Sequence, residues 1–399
     1  MSYQADLYIV LPCIQKEVVT IENPVNTNAE LFIDELSNVA KYEFNNAMSD
    51  RIERSFFKEI ILNCKTDDRD NPTSLGLQDA FIIQSKFRGT NYCLLTVVVV
   101  DTNVSLTHLL DQVSRRELVV VDEGQEVYLT DWVKDYGLES TGKAFYASCI
   151  SGLPDKEAPY IIAGEAYNAD ADFRIMSNTI GVSLDQNQAQ YTHYEAYMSE
   201  CGIIYLMKYF DSEYSGRLNT ECIMIFILEL VILKITAINA ANNEIVSAYS
   251  DNFVSINEIH NIMEQFALSL PLWDIRHFRY FLAQDFANKI EKAFNVPRFI
   301  AEYEKNRVFL EQLINVRKLI ESEKESKMIE LFAIVLAMLQ VAPILYNMVL
   351  YIMEGIPITL KQIMAFAVSS AVAFFIMWFL FRKRKNRTPI IAPRSGVDD

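Results

Sequence analysis

Glycine and proline are scarce, with 12 and 11 among 399 residues, which excludes a collagen-like or flexible low-complexity chain. Histidine is scarcer: the four, at 108, 193, 260 and 277, form no H-x-x-x-H pair. The six cysteines, at 13, 64, 93, 149, 201 and 222, form no C-x-x-C pair. These spacings argue against a zinc site or a disulfide framework and favour buried free thiols in a reducing compartment. Basic charge is also short: 36 Lys and Arg stand against 52 Asp and Glu, a net of −16. A general nucleic-acid binder would carry a basic footprint instead. The sequence has no G-x-x-x-x-G-K-[ST], G-x-G-x-x-G, G-x-S-x-G or H-E-x-x-H, so no enzyme signature is present and no catalytic residue is assigned. Met1 to Asp6 shows no basic stretch followed by an apolar one, and no cleaved signal peptide is expected.

What is abundant is apolar sequence near the C-terminus. Residues 331–353 and 363–381 are charge-free runs of 23 and 19 residues. Each has the length of a helix crossing a hydrocarbon core of about 30 Å. Nine residues separate them, so they read as a transmembrane hairpin; a pair of buried helices is the alternative. Lys and Arg flank the pair on the outside (Arg317, Lys318, Lys324, Lys327; Arg382, Lys383, Arg384, Lys385, Arg387, Arg394), and the connecting loop has Lys361 alone. That bias places both termini in the cytoplasm of a multi-pass protein of the cell (inner) membrane. Residues 328–399 hold seven basic and four acidic residues, so residues 1–327 carry −19.

Five regions follow: a mixed α/β domain over 1–180, a helical subdomain over 181–271, stalk helices over 272–327, the hairpin over 328–382 and a basic tail over 383–399. The fold class is thus an α+β cytoplasmic domain, a long helical stalk and a C-terminal two-helix transmembrane hairpin. Within the first region, Asp6–Leu11 and the valine-rich Tyr92–Val100 read as strands, the second buried on both faces. Residues 28–49, 51–63 and 106–114 read as helices. Leu118–Val121 and Glu126–Leu129 read as a hairpin around Asp122-Glu123-Gly124-Gln125. Phe145–Ile150 and Tyr160–Ala163 are further strands. The tyrosine-rich Gln190–Tyr209 carries helical signals, and the very apolar 222–233 reads as a buried helix, with a third span as the alternative. From Pro271 onward a helical arm is broken once, at Pro297, and Phe309, Leu313, Val316 and Ile320 follow the 4-3-4 spacing of a coiled-coil seam.

Glu330, Ala333, Ala337, Gln340, Ile344, Asn347, Tyr351 and Glu354 form an unbroken heptad stripe. Ringed about an axis, they read as a pore lining for partly hydrated cations; interhelical packing and hydrogen bonding is the other reading. Tyr191, His193, Tyr194 and Tyr197 form a candidate ligand-binding group, with core packing as the alternative. Asp67-Asp68-Arg69-Asp70 and Asp170-Ala171-Asp172 read as solvated loops or as Mg²⁺ sites. His277, between Arg276 and Arg279, reads as structural.

The acidic domain, long helix, first span, short loop, second span and basic end at Phe381-Arg382-Lys383-Arg384-Lys385 together resemble the CorA-like magnesium channel superfamily. The family's Gly-Met-Asn motif is absent, and Tyr346-Asn347-Met348 occupies that region. The resemblance implies a homo-oligomer, in that family a pentamer, embedded in a lipid bilayer and moving Mg²⁺ or another divalent cation under control of the cytoplasmic domain. The chain is also similar to the divergent CorA-like membrane effectors of type III CRISPR antiviral defence, which implies gating by a small nucleotide-derived ligand. A non-conducting, membrane-anchored sensor or scaffold is the third reading. No covalent cofactor and no direct nucleic-acid partner are expected.

Overall fold

The computed structural model describes residues 4–17, 26–44, 49–65, 73–122, 124–152, 187–189, 191–211, 213–250, 264, 266–272, 274–354, 359, 364 and 367. The chain divides into two units, Met1–Leu310 and Glu311–Asp399.

The first unit is built on one ten-stranded sheet. Its strands are β1 (Gln4–Gln15), β2 (Ile52–Lys65), β3 (Ser74–Phe87), β4 (Tyr92–Val99), β5 (Val119–Asp122), β6 (Gln125–Tyr128), β7 (Leu138–Ser140), β8 (Phe145–Ser151), β9 (Tyr194–Met198) and β10 (Gly202–Met207). The order is β6-β5-β2-β3-β4-β1-β8-β10-β9, with β7 also paired to β1. Every pairing is antiparallel except that of β8 with β10. At the centre, β1 and β4 are buried along almost their whole length, as near-continuous apolar runs require when both faces are covered.

Alternation along β1 separates the two faces. Leu7, Ile9, Leu11 and Cys13 join a core with Leu109, Leu110 and Val113 of α2 (Leu106–Arg115) and with Leu129 and Trp132 of the short α3 (Leu129–Trp132). Tyr8 faces the other way and stacks on Phe32 of α1 (Thr27–Glu43), centroids 5.6 Å apart. The Asn26 side chain caps α1 by accepting from the Ala29 N–H at 2.8 Å, which satisfies one orphan donor of the first turn. Over the same face lies α4 (Tyr214–Ser250), whose central stretch, Cys222 to Leu233, is buried apart from the half-buried Ile223. This matches the expected buried helix. Next to it lies α5 (Phe281–Ala293). Gly202 opens β10 opposite Tyr146, and any Cβ there would come within 2.0 Å of the Tyr146 ring. Only glycine lets the parallel strand seat this closely.

Several expectations need correction. Residues 51–63 form β2, not a helix; Ile52, Phe56, Phe57, Ile60 and Ile61 suit a strand, and β3 supplies a partner along its length. Residues 190–209 contain the β9–β10 hairpin, closed by the Ser199 N–H bonding to the Gly202 carbonyl at 2.9 Å. These strands extend the same sheet as β1, so this stretch belongs with the first unit. The arm breaks at Asn295, which takes φ 58°. Pro297 falls in the first turn of α6 (Val296–Glu354), where its missing N–H costs nothing.

The largest correction concerns the C-terminus. Among the described residues no helix is long and apolar enough to cross a membrane, so the described residues form no C-terminal transmembrane hairpin. Residues 331–353 are no separate element but the end of α6, a 59-residue helix whose earlier part is densely charged. The run is charge-free without being uniformly apolar: Gln340, Pro343, Tyr346, Asn347 and Tyr351 interrupt it. The multi-pass membrane placement rested on the hairpin and falls with it. Residues 363–381 (apart from 364 and 367), 160–163, 67–70 and 170–172 lie outside the described residues.

Candidate functional site

A cleft of about 750 Å³ opens on the α1 face of the sheet. Its floor is Ile61 of β2, Phe81 of β3 and Val98 of β4; its rim carries Glu59, Asp79 and Asp101 with the amides of Asn26, Asn28, Gln78 and Asn103. The sheet places these groups by register: Glu59 lies opposite Phe81, Ile61 opposite Asp79, and Phe81 opposite Val98. The rim is partly organised already. Asn26 Nδ2 donates to Glu59 Oε1 at 2.5 Å, and the Asn103 N–H donates to Gln78 Oε1 at 2.8 Å. Three carboxylates thus border the cleft, and its described lining holds no lysine, arginine, histidine, serine or cysteine.

Asp101 joins the cleft to a buried charge network. Its own backbone takes φ 50°, and its N–H donates to Asp6 Oδ1 at 2.7 Å. Its half-exposed carboxylate accepts from Arg217 Nη2 at 2.9 Å. Arg217, on the first turns of α4, also grips Asp6 through two bonds, Nε to Oδ2 at 2.6 Å and Nη2 to Oδ1 at 2.9 Å. The guanidinium lies over the Phe210 ring at 4.5 Å. Burial opposes its charge, but the Asp6 bonds and the Asp6, Asp101 and Glu221 charges outweigh it, so Arg217 holds its proton more firmly than an ordinary arginine.

Glu221, one turn further along α4, has no solvent exposure. Its Oε2 accepts from the Tyr8 hydroxyl, while Oε1 has no hydrogen-bond partner and lies 3.9 Å from Arg217 Nε. Burial and the nearby Asp6 charge push the Glu221 carboxyl well above the usual carboxylate range. A second buried pair lies farther along: Arg54 Nη2 of β2 donates to Glu229 Oε2 of α4 at 2.9 Å, and Ser85 donates to Glu229 Oε1 at 3.0 Å.

Comparison with protein-family models, with curated proteins and with solved structures returns no match.

The expected site residues are distributed otherwise. Tyr191 and Tyr194 stack at 5.0 Å, but Tyr197 points to the opposite sheet face, into the α2 core, and His193 is exposed near Tyr209. These four side chains do not converge. The stripe Glu330, Ala333, Ala337, Gln340, Ile344, Asn347, Tyr351 and Glu354 lies along one helix, α6. His277 packs edge-on against Phe44, as a structural residue would. Among the described residues no three His, Cys, Asp or Glu side chains gather closely enough to hold one metal ion. Sequence reading passed over Asp6, Arg217, Glu221 and Asp101. The available signal was one acid inside the otherwise apolar opening strand, and an Arg–Glu pair at i,i+4 leading into a very apolar helix.

Proposed function

We propose that the protein is a non-catalytic receptor that takes a small organic cation, an amine with hydrogen-bonding arms, in the acidic cleft and assembles with copies of itself through α6. The observation carrying this reading is the cleft's charge: Glu59, Asp79 and Asp101 surround an apolar floor without a lining cation. Carboxylates spread around a cavity suit an extended ammonium ligand better than a point metal ion. The same lining repels phosphate, which disfavours a nucleotide-derived messenger in this cleft. Asp101 gives binding a readout, because a ligand ammonium competes with Arg217 for its carboxylate. Ion conduction rests on a membrane-crossing pair and is not proposed.

Calorimetry on the full chain tests this with 1,4-diaminobutane against 1,4-butanediol, its uncharged counterpart. The diamine binds and the diol does not, and Asp79→Asn weakens the diamine about tenfold or more, the worth of one charge-assisted hydrogen bond. Equal heats from diamine and diol, or an unaffected Asp79→Asn variant, would overturn the reading.

A further inference from the structure

Cys13 and Cys93 stand directly opposite each other on β1 and β4. Both side chains enter the same apolar core on the α2 face and are essentially without solvent exposure. The other cysteines have different neighbours: Cys64 faces Gly76, Cys149 faces Asp6 and Tyr205, and Cys201 lies 3.9 Å from the Ser114 hydroxyl.

The ladder fixes the kind of pairing. The Gln15 N–H donates to the Asn91 carbonyl at 2.8 Å, so 15 and 91 are a hydrogen-bonded pair. Such pairs recur every second residue in an antiparallel ladder, which makes Cys13 and Cys93 the next one. Their Cα atoms are then about 5.5 Å apart, inside the range a disulfide spans. The Cβ atoms of directly opposed residues are about 4.5–5.5 Å apart and a disulfide prefers about 3.8 Å, so bridging draws the strands together and leaves the bond readily reduced.

We propose that Cys13 and Cys93 form a reversible cross-strand disulfide, with a low-molecular-weight disulfide as oxidant. One protein thiolate attacks the oxidant's S–S bond. A mixed disulfide forms, and the small thiolate that leaves takes up the proton the cysteine lost. The facing thiolate then attacks the protein sulfur of that mixed disulfide and expels the second small thiol. Two protein thiols are oxidised to a disulfide while one small disulfide is reduced to two thiols.

Position in the ladder supplies the access. Cys13 is two residues from the end of β1, and Cys93 is the second residue of β4. Beyond them in the β1–β4 ladder lie the pairs at Ile14–Tyr92 and Gln15–Asn91; β7 flanks β1 on one side, and Lys86 of β3 lies opposite Cys93 on the other. Fraying this one corner uncovers both sulfurs. In the closed sheet burial raises both thiols, Cys93 to about 11, so reaction awaits the opening.

The full chain is incubated with oxidised glutathione, digested without reduction and mapped by mass spectrometry. The expected product is an intramolecular link between Cys13 and Cys93, two hydrogens lighter, reversed by dithiothreitol and formed several-fold faster in urea below the unfolding transition. Cys93→Ser stops at a Cys13–glutathione mixed disulfide. The proposal is overturned if the unaltered chain also stops there, if other cysteines are linked instead, or if no link forms in urea at which iodoacetamide alkylates both residues.

Discussion

The Glu221 carboxyl shares its pocket with the Asp6 carboxylate, which Arg217 already neutralises through two bonds. One guanidinium cannot fully offset two buried acids, so the pair retains a proton, and burial places it on Glu221. The sign for stability follows. The folded carboxyl binds its proton more tightly than the unfolded one, so the native state is favoured fully below the unfolded value of about 4.3. That advantage is lost as pH rises towards the folded value. Glu221→Gln keeps a neutral side chain that accepts from Tyr8 and donates to Asp6. Its stability matches the unaltered protein near pH 4 and exceeds it increasingly as pH rises, as urea unfolding between pH 4 and 9 would show. A constant difference across that range would remove the proton from Glu221.

The docking of α4 on the sheet depends on its few charged residues. Arg54 and Glu229 are 2% and 1% exposed at the side chain, so neither charge has water as an alternative partner. Arg54→Met strands the Glu229 carboxylate among Ser85, Thr96 and apolar neighbours, at a cost of about 3–5 kcal/mol. Arg54→Met combined with Glu229→Leu restores most of that loss, because the buried ion pair contributes little over apolar packing. Urea midpoints of the three chains check both statements. Such pairs also mark the limit of what the sequence discloses. The strands β1, β4 and β8, the β5–β6 hairpin, α2 and the buried part of α4 were legible from apolar runs and turn residues. The β2 strand was not, because Ile52, Phe56 and Ile60 also fit helical spacing, and only its pairing with β3 decides between the two. The β9–β10 hairpin was missed because Tyr191, Tyr194 and Tyr197, each three residues apart, imitate helical spacing. The cleft was illegible for a different reason: Glu59 and Asp79 are mid-strand residues of β2 and β3, Asp101 lies just past the end of β4, and only the sheet pairing brings them together.

At the scale of the whole molecule, the acidic charge and the apolar surface lie in different parts of the chain. Along α6 the side chains of Phe309, Val316 and Ile320 are about half exposed, at the spacing of a two-stranded seam. Farther along, Leu331, Phe332, Met338 and Ile352 are each more than 60% exposed. Apolar area on this scale is seldom left to water, and the proposed self-assembly through α6 would cover it at the heptad spacing. Val316→Glu together with Ile320→Glu places like charges in that seam and raises the dissociation constant of the assembly at least tenfold, as read by sedimentation velocity. An unchanged sedimentation coefficient across the same concentrations would move self-association away from these residues.

The central position of β1 also governs the order of events during synthesis. This strand is apolar on both faces, yet one neighbour, β4, begins at Tyr92, and the other pairs Gln4 with Ser151. At about 5–20 residues per second, roughly 7 to 30 s pass between translation of Gln4 and of Ser151. Until β7 and then β8 are made, that edge of the opening strand has no partner. The growing chain must therefore keep its most apolar N-terminal segment from other strands, which makes the ribosome-bound stage, rather than the finished sheet, the point at which this protein is most exposed to aggregation.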